Sequence, residues 1–255
     1  MLKSRLCIAF FAFAVGCAPA QKPLTDYVNP MLGTATLWDS VDLGFKPTKR
    51  TWGAEVFPGS SLPNAMVQVS PVTKFHSGAG YQYEDSVIYG FTHTNKGHWN
   101  LCHIPLLPVT GTPTPGDYCS PFSHERESAA PGYYQVFLDR YGVDAQLSST
   151  LRCAFHKYTY PAGAAASLLA DLQRSNEHVR AWDIRKEGDN VFAGWQQTGE
   201  KMYFYAVANR PVTGIEPVVE GDREVRIVRF GEGDGALELR IGFSFVSEKN
   251  ARENL

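Results

Sequence analysis

ALELRIGFSF, residues 236 to 245, alternates without a break: Leu237, Leu239, Ile241, Phe243 and Phe245 are apolar, while Glu238, Arg240, Gly242 and Ser244 fall between them. A period of two puts one set of side chains on each face of a pleated strand, so the stretch predicts a half-buried β-strand with its five apolar residues in a core. Working outward, YYQVFLDRY (133–141) and MYFYAVAN (202–209) carry the aromatic and β-branched residues that suit the same surface. Turn clusters separate such runs, at Pro161-Ala162-Gly163, Gly188-Asp189-Asn190, Gly221-Asp222 and Gly231 to Gly235. From about residue 64 onward, short strands at this spacing predict an all-β chain folded as an antiparallel β-sandwich.

The flanks read differently. Between Thr25 and Thr73 the chain is dense in Gly, Pro and Asn with little periodicity, and Trp38, Trp52 and Phe57 predict an ordered loop system packed on something, because disordered tails are poor in aromatics. At the far end, SEKNARENL offers Ser247 as a helix cap with Glu248 in the first turn. Only two turns follow, and an isolated helix that short is marginal in water. The expected organisation is therefore a sandwich over residues 21–246, with residues 247–255 opening a further helical element.

MLKSRLCIAFFAFAVGCAPAQKP, at the start, has Lys3 and Arg5, an apolar run and then Ala18-Pro19-Ala20, the layout of a removable export signal over residues 1–20. The apolar run is too short to span a bilayer, which needs about 20 residues. Gly16-Cys17 offers a rival processing point, with Cys17 carrying lipid. Either route makes the chain an exported one: periplasmic, secreted or an outer-membrane lipoprotein of a bacterium.

A net charge of -2 with no basic block argues against a nucleic-acid partner, since phosphate binding needs clustered Lys and Arg. Beyond the signal, Cys102, Cys119 and Cys153 permit at most one internal disulfide.

Chemistry-bearing residues concentrate in GFTHTNKGHWNLCHIPLLPVTG (90–111). His93, His98, Cys102 and His103 have zinc-binding atoms, but their spacing matches no established ligand pattern, and strand neighbours Cys102 and His103 point to opposite faces. No nucleophile elbow is present, and Cys102 beside Ile104, Leu106 and Leu107 reads as a small buried residue. Glu84, Asp85, Asp117, Glu125 and Glu127 are available for carboxylate chemistry, though solvated loop charge explains them more simply. Sugar binding suits the composition: Trp99 offers a platform for a pyranose C–H face, and His98 and Asn100 beside it supply donors and acceptors for hydroxyls. A tryptophan buried under a loop accounts for the same residues equally well.

Five ordered blocks then carry a resemblance: DYVNPMLGT (26–34), VFPGSSLPNAMVQVSP (56–71), GYQYEDSVIYGFTHT (80–94), PGYYQVFLDRYGVDAQLSSTLRCAFHKYTYP (131–161) and GWQQTGEKMYFYAVANRPV (194–212). Together they resemble the N-terminal domain of glycoside hydrolase family 92. The resemblance implies a galactose-mutarotase-like β-sandwich that belongs to an exported, calcium-dependent, inverting exo-α-mannosidase acting on mannose-containing glycans. It also implies an (α/α)6 barrel after residue 255 that supplies the acid, the base and the calcium ligands, so neither a catalytic residue nor a metal ligand is expected in this chain. The sandwich would shape the mannose pocket at the domain interface through His93, His98, Trp99, Asn100 and Gly59 of the Phe57-Pro58-Gly59 turn. Where members carry a glycine-rich HTHLSGTG run, this chain has His93-Thr94-Asn95-Lys96-Gly97-His98-Trp99-Asn100, so linkage preference does not transfer. The alternatives are a free-standing carbohydrate-binding module and, on fold analogy alone, a mutarotase-like isomerase.

Overall fold

The computed structural model describes residues 22–38, 41, 44–46, 55–96 and 101–255. The export signal expected over residues 1–20, Cys17 and Trp52 lie outside them, as do His98, Trp99 and Asn100.

In chain order the strands begin with β1 (Ser60–Ser61), β2 (Gln68–Val72), β3 (Val87–Ile88), β4 (Gly90–Thr92), β5 (Leu106–Val109) and β6 (Ser120–Pro121). They continue as β7 (Glu127–Ala130), β8 (Tyr133–Leu138), β9 (Val143–Ser149), β10 (Cys153–Thr159), β11 (Ser167–Ala170) and β12 (Ala181–Gly188). The last are β13 (Val191–Gln197), β14 (Lys201–Ala208), β15 (Val212–Glu220), β16 (Arg223–Phe230) and β17 (Leu237–Ser244). One antiparallel sheet of seven strands runs β1-β2-β4-β5-β11-β16-β15, and a second of eight runs β12-β13-β14-β17-β10-β9-β8-β7. A small β3-β6 pair lies apart from both.

The two sheets enclose one core, and the alternating stretch that opened the reading lies in the middle of the larger one. β17 pairs with β14 on one side and β10 on the other. Leu237, Leu239, Ile241 and Phe243 are all fully buried, each contributing about 1.5–3 kcal/mol by leaving water. The same core includes Leu106, Leu107 and Val109 of β5, Leu168 of β11 and Ile227 of β16.

Phe245 departs from the expected pattern. The strand ends at Ser244, whose hydroxyl accepts from Val246 N at 3.0 Å and Ser247 N at 3.5 Å, and Phe245 is left 38% exposed. That turn sends the chain into helix α1 (Glu248–Glu253), capped by Ser247, which accepts from Asn250 N at 3.1 Å. The helix is not isolated, which is why two turns suffice: it lies on the outer face of the larger sheet with Ala251 buried. Gly242 makes that approach possible, since a Cβ there would stand 2.1 Å from Ala251 O.

The N-terminal segment is partly tied down. Thr34 O accepts from Tyr83 N, and Thr36 binds the Glu84 carboxylate through its N–H at 2.6 Å and its hydroxyl at 3.1 Å. Leu24, Tyr27, Leu32 and Trp38 nevertheless remain exposed, and among the described residues Trp38 lacks the packing expected of it.

Candidate functional site

β4 and β5 are neighbours, and the chain between them is the histidine-rich loop. Its two ends are fixed from below. His93 N donates to His103 O at 3.0 Å and Cys102 N to Thr94 O at 2.8 Å, while Asn95 Nδ2 reaches Gln68 O at 2.9 Å. On the return, Leu101, Cys102 and Ile104 all adopt left-handed backbone, with φ of 65°, 60° and 54°. Left-handed geometry is uncommon for residues with a Cβ and a true outlier for β-branched Ile104, so three in four positions mark stored strain. The surroundings enforce it: Ile104 N donates to Gln196 Oε1 at 2.7 Å, and Leu101 O accepts from Ser175 Oγ at 2.7 Å and Asn176 N at 2.9 Å. Gly80 leaves room for the Cys102 sulfur, which would stand 2.8 Å from a Cβ at that position.

His93 is fully buried beneath this loop. Its Nδ1 lies 2.8 Å from Ile104 O, which can only accept, so Nδ1 carries the proton and Nε2 is an acceptor. His156 Nε2, 3.1 Å away, must then donate, which leaves His156 Nδ1 to accept from the Tyr158 hydroxyl at 2.5 Å. Each ring nitrogen is thereby satisfied with both imidazoles neutral. Burial lowers His93 to a pKa of about 3 and holds His156 well below the ordinary value. His93 is thus a fully buried strut joining the sheets. Gly59, by contrast, belongs to a crossing over β2: a Cβ there would stand 1.9 Å from Val69 O, so only glycine fits. Gly59 and His93 meet adjacent residues of β2, since Gln68 N donates to His93 O. The remaining sugar-facing candidates, His98, Trp99 and Asn100, lie outside the described residues, between exposed Lys96 and Leu101, whose carbonyl is held by Ser175 and Asn176.

The loop returns at the lip of an open cleft of about 800 Å³, formed by residues 173–183 and the β15–β16 hairpin. A hydrogen-bonded chain runs from the interior to this cleft. The Thr94 hydroxyl donates to His103 Nδ1 at 2.8 Å, His103 Nε2–H donates to Thr198 Oγ1 at 2.9 Å, and the Thr198 hydroxyl donates to Glu177 Oε2 at 2.7 Å. Burial holds His103 below the ordinary imidazole value, with the Glu177 charge pulling the other way. The outcome is a one-third exposed carboxylate set firmly beside the loop, with Arg180, Trp182 and Asp222 in the same cleft. Such a mixture of donors, acceptors and one indole suits a polyhydroxylated ligand.

Sequence reasoning missed Glu177, Thr198, Gln196 and His156. His156 carried a readable signal, because it falls in phase with the core residues Ala154 and Tyr158. Glu177 carried none, since its place depends on contacts across the sheets. Glu127 corrects the expectation of solvated loop charge: its side chain is fully buried, accepting from the hydroxyls of Tyr81 and Tyr134 and from His124 Nδ1 at 2.6 Å. Cys102 is buried as expected, and burial pushes its thiol up to about 12. Among the described residues Cys102, Cys119 and Cys153 are free, and no group of three or more His, Cys, Asp or Glu is placed to hold a metal ion.

Compared with known families, the chain matches the glycosyl hydrolase family 92 N-terminal domain over residues 27–250. No curated protein matches it. Among solved structures, a family 92 α-mannosidase of Bacteroides thetaiotaomicron superposes with a TM-score of 0.78 at 24% identity, over 92% of this chain and 34% of that one. An inverting family 92 mannosidase of the same bacterium gives 0.73 at 23% identity, over 92% and 33%. A further family 92 glycosyl hydrolase gives 0.66 at 25% identity, over 77% and 31%. The chain therefore spans about a third of the length of the solved structures it matches.

Proposed function

Because the chain belongs to glycoside hydrolase family 92, whose N-terminal domain it matches over residues 27–250, we propose that it is the carbohydrate-binding-type sandwich of an exported α-mannosidase that trims terminal α-linked mannose from glycans. One observation carries this reading: the chain on either side of His98, Trp99 and Asn100 is held, with Cys102 N donating to Thr94 O and Asn95 Nδ2 to Gln68 O, and Leu101, Cys102 and Ile104 all left-handed. Held flanks around aromatic and polar residues suit a sugar platform. Glu177, positioned by Thr198 at the lip of the cleft, adds an acceptor for sugar hydroxyls.

In this reading the chain shapes the pocket, and the reacting carboxylates come from the (α/α)6 domain that accompanies such sandwiches. With inversion, one carboxylic acid protonates the leaving oxygen while a carboxylate on the opposite face activates water. A calcium ion takes about six to eight oxygen ligands. The residues described here do not fit one: Asp171, whose Oδ1 is buried without a partner, faces the Arg223 and Arg174 guanidiniums, which would repel a cation. In this reading the barrel supplies the calcium ligands.

Incubation with an aryl α-mannoside tests the division of labour. The purified 255-residue chain releases no mannose; measurable release contradicts the proposal. A cleft lying wholly within this chain, with Trp182 among its walls, favours a second reading as a self-sufficient binding module. The two part on affinity, because half a pocket binds methyl α-mannoside in the millimolar range or weaker, whereas a complete module reaches about micromolar.

A further inference from the structure

A second cavity, of about 310 Å³, shares His76 and Arg174 with the cleft and is lined also by Lys74, Phe75 and Tyr89. Among the described residues no acidic side chain lines it. The Arg174 guanidinium stands over three rings, 5.7 Å from Phe75, 5.4 Å from Tyr89 and 5.7 Å from Tyr118. Ring faces hold a guanidinium without consuming its N–H donors. Its remaining contacts are long: Nε is 3.6 Å from Asp171 Oδ2 and Nη1 is 3.4 Å from the Tyr118 hydroxyl. Asp171 gives its short contact, 2.6 Å, to Arg223, so one carboxylate serves two guanidiniums. Arg174 is therefore oriented, 30% exposed and short of a counter-charge.

His76 is held with equal care. Its left-handed backbone, φ 59°, is locked by its N–H donating to Asn176 Oδ1 at 2.8 Å. The ring Nδ1 donates to Asn176 O at 3.0 Å, which fixes the ring. Lys74 is exposed at the same rim.

We propose that this cavity is a second binding site, taking the anionic group of a charged saccharide, a carboxylate or a phosphate, on Arg174 and Lys74. Arg174 offers the planar donor fork that suits either oxyanion, and Lys74 adds a point charge. The anion follows from the cavity's own chemistry; only the saccharide part rests on the mannosidase reading.

The test is calorimetric titration of the full 255-residue chain with methyl α-mannoside, glucuronate, mannose 6-phosphate and inorganic phosphate, at low and high salt. Glucuronate or the sugar phosphate is expected to bind at least about tenfold tighter than the neutral mannoside, as one charge-assisted hydrogen-bonded contact provides. Whichever of the two binds identifies the anion. The advantage should vanish on Arg174→Gln and shrink in high salt. Lys74→Glu, at an exposed position clear of the Asp171 cluster, should weaken the anion in the same way and keeps the test valid if Arg174→Gln fails to fold. Equal affinity for charged and neutral sugars, or anion binding indifferent to Lys74→Glu, overturns the site while leaving the mannosidase reading intact. Inorganic phosphate binding as tightly as the sugar phosphate overturns the saccharide assignment, and no anion binding at all overturns the whole proposal.

Discussion

Acid should loosen this sandwich from within, through the His93–His156 pair. His93 titrates at about 3 in the folded chain, against about 6.5 for an unperturbed imidazole. Between those values the unfolded chain binds a proton that the folded chain refuses, so stability is complete above the unfolded value and falls as pH drops below it. From pH 7 to pH 5 the loss from His93 alone is about 2 kcal/mol, at about 1.4 kcal/mol per pH unit below 6.5. His156 and His103, both lowered by burial, act in the same direction. The rings packed on the pair, Phe243 at 4.6 Å from His93 and Phe91 at 6.4 Å from His156, offer no charge to relieve it. Urea unfolding followed by tryptophan fluorescence measures the effect, and 2 kcal/mol lowers the midpoint by roughly 1 M. His93→Gln keeps a polar side chain that does not titrate. The variant is expected to be less stable at pH 7 but to lose about 2 kcal/mol less than the wild type on going to pH 5. Identical losses in the two proteins would refute the assignment of a neutral, buried His93.

Gly59→Ala forces a Cβ to within 1.9 Å of a backbone oxygen, so the melting temperature should fall by several degrees, as a cost of about 2 kcal/mol or more implies. Gly242→Val drives α1 off the sheet, and hydrogen exchange should then report loss of protection at Ala251 and Asn254 while β17 keeps its own. Ser247→Ala removes only the helix cap and costs about 1 kcal/mol by chemical denaturation. Cys102, buried with its thiol pushed up to about 12, should resist alkylation in the native chain near neutral pH and react on unfolding; fast native labelling would show that the loop opens.

Much of the fold was legible because burial on one face of a strand writes a period of two into the sequence. β17, β8 and β14 fall where ALELRIGFSF, YYQVFLDRY and MYFYAVAN predicted them, to within a few residues. The misses come from contacts that periodicity does not encode. Phe245 continues the alternation but is turned out by Ser244, a local hydrogen bond that periodicity does not encode. The helix at 248–253 looked marginal because nothing in its sequence announces that Gly242, on a neighbouring strand, has cleared a seat for Ala251. Around the loop, composition could not mark His93 as a buried strut. Glu177 lies some seventy positions from that loop in the chain and is brought to it by Thr198 and His103 and by the bonds of its neighbours Ser175 and Asn176 to Leu101.

Mapping methyl α-mannoside onto the assigned amide spectrum of the 255-residue chain tests the sugar-facing loop most directly. Shifts should cluster at residues 94–102 and 175–178 and disappear in Trp99→Ala while the rest of the spectrum stays unchanged. Shifts confined to other regions, or a pattern that Trp99→Ala leaves intact, would contradict the role assigned to the loop.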